Sequence, residues 1–176
     1  MYVEVSRPVP NSMNSTTAGQ MRRRDDLAVV RLIADYDAHG GLATSDEVVL
    51  LMRPYWRQPV STLAKWIVNR QLVAFSWRDQ LLLPLFQFAR PRMAPRAAVS
   101  DSALELGEYL EDQGVARWFV EANRSLHQAT PVDVLLSDPD SVVEAARATR
   151  VALADERARG AGLDLAHASA AARRRA

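Results

Sequence analysis

The fold turns on one run: Thr44-Ser45-Asp46-Glu47-Val48-Val49-Leu50-Leu51-Met52, then Pro59-Val60-Ser61-Thr62-Leu63-Ala64-Lys65-Trp66-Ile67-Val68, then Val73-Ala74-Phe75-Ser76-Trp77 and Leu81-Leu82-Leu83-Pro84-Leu85-Phe86-Gln87-Phe88. Thr44 and Glu47 precede an apolar run at the spacing of a capping box, in which the hydroxyl accepts from the N3 amide and the carboxylate reaches back. Pro54 ends that helix early. Pro59 suits a first helical turn, where its missing N–H costs nothing, and Leu63, Trp66, Ile67 and Arg70 to Leu72 continue at spacings of three and four. The blocks 73–77 and 81–88, separated by the polar Arg78-Asp79-Gln80, predict a β-hairpin as the chain's only sheet, with Pro84 confined to an edge. Two short helices joined by a tight link and followed by a hairpin have the layout of a helix-turn-helix with a small wing.

Outward from that run, residues 1–20 are rich in Pro, Asn, Ser and Thr and too poor in apolar side chains to repay ordering, so they read as a disordered tail. From Arg22, Leu27, Val30, Ile33 and Ala34 predict a first helix stopped by Gly40-Gly41. The helix-turn-helix-like module with its hairpin therefore spans 21–95, and Ala89 to Pro95, with two prolines, reads as an exposed linker. From Ser102 the pattern is helical up to Gly114, again over Val115 to Ala122, briefly at Pro131 to Leu136, and from Ser141 to about Arg159, with Asp138 as N-cap and Pro139 as first residue. The fold class is mainly α: the hairpin-bearing module, a second helical module over 100–159, and an Ala/Arg-rich tail over 160–176.

Across 176 residues the formal charge is only +1, yet it is unevenly placed. Between Leu51 and Ser100 eight bases stand against Asp79 alone; between Asp101 and Ala146 ten acids stand against Arg117 and Arg124. Such polarity fits a front that meets a polyanion and a back that meets a protein; the bland alternative is that the two blocks pair with each other. The absence of Cys and the wide separation of His39, His127 and His167 leave no thiol chemistry and no histidine metal site to expect. No apolar run approaches the roughly 18 residues of a membrane span and no signal peptide is evident, which reads as a cytoplasmic protein without membrane contact. There is no Gly-rich phosphate loop and no nucleophile elbow, and the acidic pairs Glu111-Asp112, Asp138/Asp140 and Asp155-Glu156 fall at helix ends, where capping accounts for them. No catalytic residue and no cofactor is expected.

The second helix of the pair offers Ser61, Thr62, Lys65, Asn69 and Arg70, hydroxyls and an amide for base edges beside cations for phosphates, with Arg57 and Arg78 flanking the duplex. A two-fold operator would ask for a homodimer.

In the acidic half, Trp118-Phe119, Asn123, Leu126, Thr130-Pro131-Val132-Asp133-Val134-Leu135-Leu136, Asp138-Pro139 and Val142 form a dense block of aromatics, turn residues and short helices. This block resembles the C-terminal toxin-binding domain of Xre/MbcA/ParS-type antitoxins, whose pattern is a Trp, a short interval, Asn, Leu, a Thr-Pro-Leu-Asp-Leu-Leu-like run and a final helix. Arg70 to Phe75 with Leu83 to Phe88 also resembles the segment preceding that domain, so the likeness covers roughly residues 44–150. Family members carry a glycine or two before the Thr-Pro, where this chain has His127-Gln128-Ala129. The resemblance implies toxin-contacting positions at Trp118, Phe119, Asn123, Leu126, Thr130, Pro131 and Leu135, and a cognate toxin partner, typically a RES-domain enzyme that consumes NAD. It implies an antitoxin that occludes the toxin sterically and regulates its own operon. A stand-alone helix-turn-helix regulator without a toxin is the alternative, and a small-ligand-binding or catalytic helical domain a third.

Overall fold

The computed structural model describes the backbone of residues 26–173 and side chains over 26–161. It is mainly helical with a small antiparallel sheet. Helix α1 covers 26–37 and stops at Gly40 and Gly41, both with positive φ, as their lack of a Cβ permits. Strand β1 (Leu42–Thr44) follows, and Thr44 then caps α2 (Ser45–Met52). The capping box is present: the Thr44 hydroxyl accepts from Glu47 N–H at 3.3 Å, and a Glu47 carboxylate oxygen accepts from Thr44 N–H at 2.7 Å. The Thr44 N–H, together with the Thr44 hydroxyl donating to the same oxygen at 2.9 Å, holds the Glu47 carboxyl below its usual pKa. Helix α3 (Pro59–Val68) carries Pro59 in its first turn.

Strands β2 (Phe75–Trp77) and β3 (Gln80–Pro84) form the expected hairpin, closed by Arg78 and Asp79 with φ of 47° and 62°. Two left-handed residues in a two-residue loop match the twist of paired strands. The hairpin is not a sheet by itself, however. β1 pairs antiparallel with β3 over Leu42↔Pro84 to Thr44↔Leu82, giving the order β1-β3-β2. Pro84 thus closes the central strand instead of lying on an edge; it sits beyond the end of β2, where that neighbour no longer needs its amide.

Alternation along β3 divides the interior into two cores. Leu82 and its partner Phe75 join α1, α4 (Ala97–Leu106), α5 (Asp112–Val120) and α7 (Pro139–Arg173) in one cluster. Leu83 and its partner Ala43 join Val48, Met52, Leu63 and Phe88 beneath α2 and α3 in the other. Fully burying a Leu or Phe side chain contributes about 1.5–3 kcal/mol, so each face of the sheet is tied to its layer by several such terms. Helix α1 follows the sheet's first face: Val29, Leu32 and Tyr36 pack with Val99, Phe119 and Ala145, and the Tyr36 hydroxyl donates to the Ala116 carbonyl at 2.6 Å. Burial, with Asp35 nearby, raises the Tyr36 pKa far above its ordinary value, which keeps this donor protonated. No break in the core therefore falls at 95–100; residues 26–37 belong to the same packed unit as 97–146.

The stretch read as an exposed linker is a second hairpin, β4 (Phe88–Ala89) with β5 (Ala94–Pro95). It is fastened by Trp56, whose indole N–H donates to the Arg92 carbonyl at 2.7 Å. Just before it, the wholly buried Gln87 accepts from Val73 N–H at 2.7 Å and donates to Val73 C=O at 3.0 Å, completing a backbone position that no strand pairs. In the C-terminal half the first helix ends at Gly107 and not at Gly114. The last begins as expected, with Asp138 accepting from Ser141 N–H and Pro139 in the first turn, but runs through Gly160 to Arg173. Alanine and arginine on both sides of Gly160 are strong helix formers and outweigh one glycine. Among the described residues no helix is long and apolar enough to cross a membrane.

Candidate functional site

Two surfaces gather the residues singled out in the sequence. On the first, α3 turns Leu63 into the interior and presents Ser61 and Lys65 to solvent, with Thr62 half-buried beside them. Val60 and Val68 are also exposed on this helix. Ser61 spends its hydroxyl at 3.3 Å on the Gln58 carbonyl of the preceding turn. Asn69 is the C-cap and exposed; Arg57 is exposed ahead of α3 beside Tyr55 and Gln58. At the hairpin tip the Arg78 guanidinium lies 4.5 Å over the Trp77 ring and 3.7 Å from Asp26, while the Trp77 indole N–H donates to Asp26 at 3.1 Å. The tip is thus anchored to α1 but remains largely in water.

Arg70 is placed differently from its sequence neighbours. It adopts φ 53° directly after the C-cap, with Arg70 N–H bonded to Ile67 C=O and Gln71 N–H bonded to Trp66 C=O, the paired bonds of a Schellman ending in the position where glycine is usual. Its side chain then donates to the Gly107 carbonyl at 3.1 Å, at the end of α4. A side chain at Gly107 would collide with that guanidinium and with the Ala103 carbonyl. Arg70 therefore ties α3 to α4 and stands apart from Lys65 and Arg57.

The expected alternative, that the basic and acidic blocks neutralise each other, is not what the ion pairs do. Among the described residues the pairs are His39–Asp133, Arg78–Asp26, Arg117–Glu121, Arg147 with Glu105 and Glu144, and Arg150–Glu105. None joins a base of 51–100 to an acid of 101–146. Arg53, Arg57, Lys65, Arg90 and Arg92 have no described acid as partner, whereas part of the acidic face is answered by Arg147 and Arg150 from α7.

On the second surface the residues of the resemblance are mostly structural. Trp118, Phe119, Leu126, Pro131 and Leu135 are buried, and the Trp118 indole N–H donates to the Thr149 hydroxyl at 3.1 Å. Asn123 caps a 3-10 turn (Arg124–Leu126) by accepting from Ser125 N–H at 2.9 Å. Thr130 caps α6 (Pro131–Val134) by accepting from Asp133 N–H at 3.4 Å. Between the caps the loop closes on itself, with Asn123 N–H bonded to Ala129 C=O and Gln128 N–H bonded to Asn123 C=O. His127 and Gln128 both have positive φ, 55° and 69°, a conformation that glycine adopts without cost. Exposed around these buried residues are Arg124, His127, Gln128, Asp133 and Leu136.

Sequence reasoning missed a cavity of about 550 Å³ between the end of α1, the second hairpin and α6. Its lining comes from three separated stretches, 38–40, 85–96 and 132–136, and only the phenylalanines bracketing Gln87 hinted at an unusual packing there. No protein-family model, curated protein or solved structure matches this chain.

Proposed function

We propose that the chain is an antitoxin-like protein that covers the active site of a cognate toxin and binds the operator of its own transcription unit. The observation that carries this reading is the closed turn Asn123–Ala129, in which left-handed His127 and Gln128 stand where the resembling antitoxins carry glycine, between the Asn123 and Thr130 caps. A motif whose residues each serve the geometry it encodes is better support than residue identity alone. Because its aromatic and aliphatic members are buried, toxin contact falls to the exposed residues they position: Arg124, His127, Gln128, Asp133 and Leu136. Such contact acts by burying surface, on the order of 1,200–2,000 Å² for a stable complex, and uses no cofactor or metal. By the resemblance, the toxin is of the RES type and consumes NAD.

The DNA-binding part rests on element order and charge. The order helix, strand, two helices and a hairpin, with the first strand added beside the hairpin, supports a winged helix-turn-helix reading. In that arrangement α3 enters the major groove with Ser61, Thr62, Lys65 and Asn69, while Arg57 and Arg78 reach phosphates on either side. A homodimer would match a two-fold operator.

The test is co-expression with the toxin encoded beside the gene. The wild-type chain restores growth, and Arg124→Glu with Leu136→Asp, both at exposed positions, abolishes protection while the protein stays folded. Continued growth arrest with the wild type, or full protection by the double variant, rejects the toxin assignment. The cationic face without described ion-pair partners favours one second reading, the stand-alone regulator, which salt-sensitive DNA binding without protection would establish.

A further inference from the structure

We infer that the cavity between α1, the second hairpin and α6 binds a small organic anion with an apolar body, an aromatic or medium-chain carboxylate. Its volume of about 550 Å³ lies within the roughly 300–1,000 Å³ of small-molecule sites, and its walls include Leu85, Phe86, Phe88 and Leu135. Among the described residues no acidic side chain lines it. Its charged lining is Arg90 and Arg96, which enter the wall from the second hairpin, and His39 joins them from the end of α1. His39 is already occupied by Asp133 at 3.8 Å, and Arg96 spends its Nε–H on the Phe86 carbonyl at 3.0 Å, which fixes its guanidinium against the wall with four of its five donors left. Arg90 is exposed and has no described acid as partner. It also borders a neighbouring cavity of about 340 Å³ shared with Leu51, Tyr55 and Met93, so an acyl tail could continue past it.

A carboxylate placed here meets two guanidiniums whose fork geometry suits it, while its body replaces water against phenylalanine and leucine. Neither feature alone selects this ligand: a bare phosphate lacks the body, and a neutral aromatic lacks the charge. The cavity is walled by residues 38–40, 85–96 and 132–136, so a bound ligand would touch the end of α1, the second hairpin and the α6 segment together. The inference does not depend on the proposed function, because it is read from binding alone.

The probe is 2-naphthoate, titrated into the full-length ¹⁵N-labelled chain beside 2-naphthylmethanol and inorganic phosphate. Saturable shifts are expected at the amides of Gly40, Ala89 and Leu136, with the acid bound about tenfold more tightly than the alcohol, the scale of one charge-assisted contact. Arg90→Gln should weaken naphthoate about tenfold and leave the alcohol's affinity and the melting temperature unchanged. Equal affinities for acid and alcohol, shifts centred elsewhere, equal binding of phosphate, or an unaltered affinity in Arg90→Gln would each overturn it.

Discussion

Replacing Gln87 by Leu keeps most of the volume of a wholly buried side chain and deletes both of its hydrogen bonds to Val73. Val73 is itself only 3% exposed, so its N–H and C=O cannot turn to water when the amide is gone. Each buried backbone group left without a partner costs about 1–3 kcal/mol, which puts the expected loss for the two at about 2–6 kcal/mol. For a domain of this size a loss of about 3 kcal/mol lowers Tm by roughly 10 °C. Urea unfolding followed by tryptophan fluorescence measures it, with the midpoint falling and the slope unchanged. Gln87→Glu supplies a control: its carboxylate can accept from Val73 N–H but cannot donate to Val73 C=O, and burial raises its pKa. Its destabilisation should therefore be greatest at neutral pH and shrink as pH falls and the carboxyl gains a proton. A loss below about 1 kcal/mol in Gln87→Leu would refute the claim that this side chain completes the ladder.

His127→Gly and Gln128→Gly should each stabilise the chain by about 0.5–1 kcal/mol, because relief of left-handed strain exceeds the added chain entropy; a lower Tm in either would contradict the loop geometry. The Glu47 and Asp138 carboxyls both sit below their ordinary pKa through bonds from Thr44 and Ser141. Their contribution is present above the unfolded carboxyl range and lost as pH falls below it, so a Glu47→Gln/Asp138→Asn variant should show a flatter decline in Tm from about pH 5 to pH 3 than wild type. A chain truncated after residue 100 should fail to fold, since Val29, Leu32, Tyr36, Phe75 and Leu82 lose their cover from α4, α5 and α7; a cooperative melt from that fragment would show two independent cores.

The legible parts of the fold were the local ones. A capping box, a proline in a first turn, the Asp138-Pro139 start and a hairpin turning at Arg78-Asp79-Gln80 are each written within four or five residues, and each is present, with Gln80 joining the second strand. Strand β1 was hidden because three residues form it only by adding to β3, and its last residue, Thr44, is also the cap that announces a helix. The pairing of α1 with α5 was hidden for the same reason, as was the reach of Arg70 to Gly107: spacing along one helix shows which residues face inward but not which neighbour receives them. The last helix was expected to end at about Arg159 because apolar periodicity fades there, and the helix formers around Gly160 carry it on to Arg173. In the candidate sites, residue types were legible and their duties were not. Trp118, Phe119 and Leu135 shape the second surface from within, while the exposed Leu136 was legible only as a member of the run 130–136.

The salt dependence of binding to duplex DNA from the chain's own promoter, compared between wild type and Arg57→Ala/Lys65→Ala, tests most directly whether the cationic face is free to meet phosphates. Each phosphate contact contributes about 0.9 to the slope of log K against log salt, so removing two should make it shallower by roughly 1.8 and weaken binding at low salt. No binding by the wild type at low salt, or identical slopes for the two proteins, would contradict a DNA-facing front.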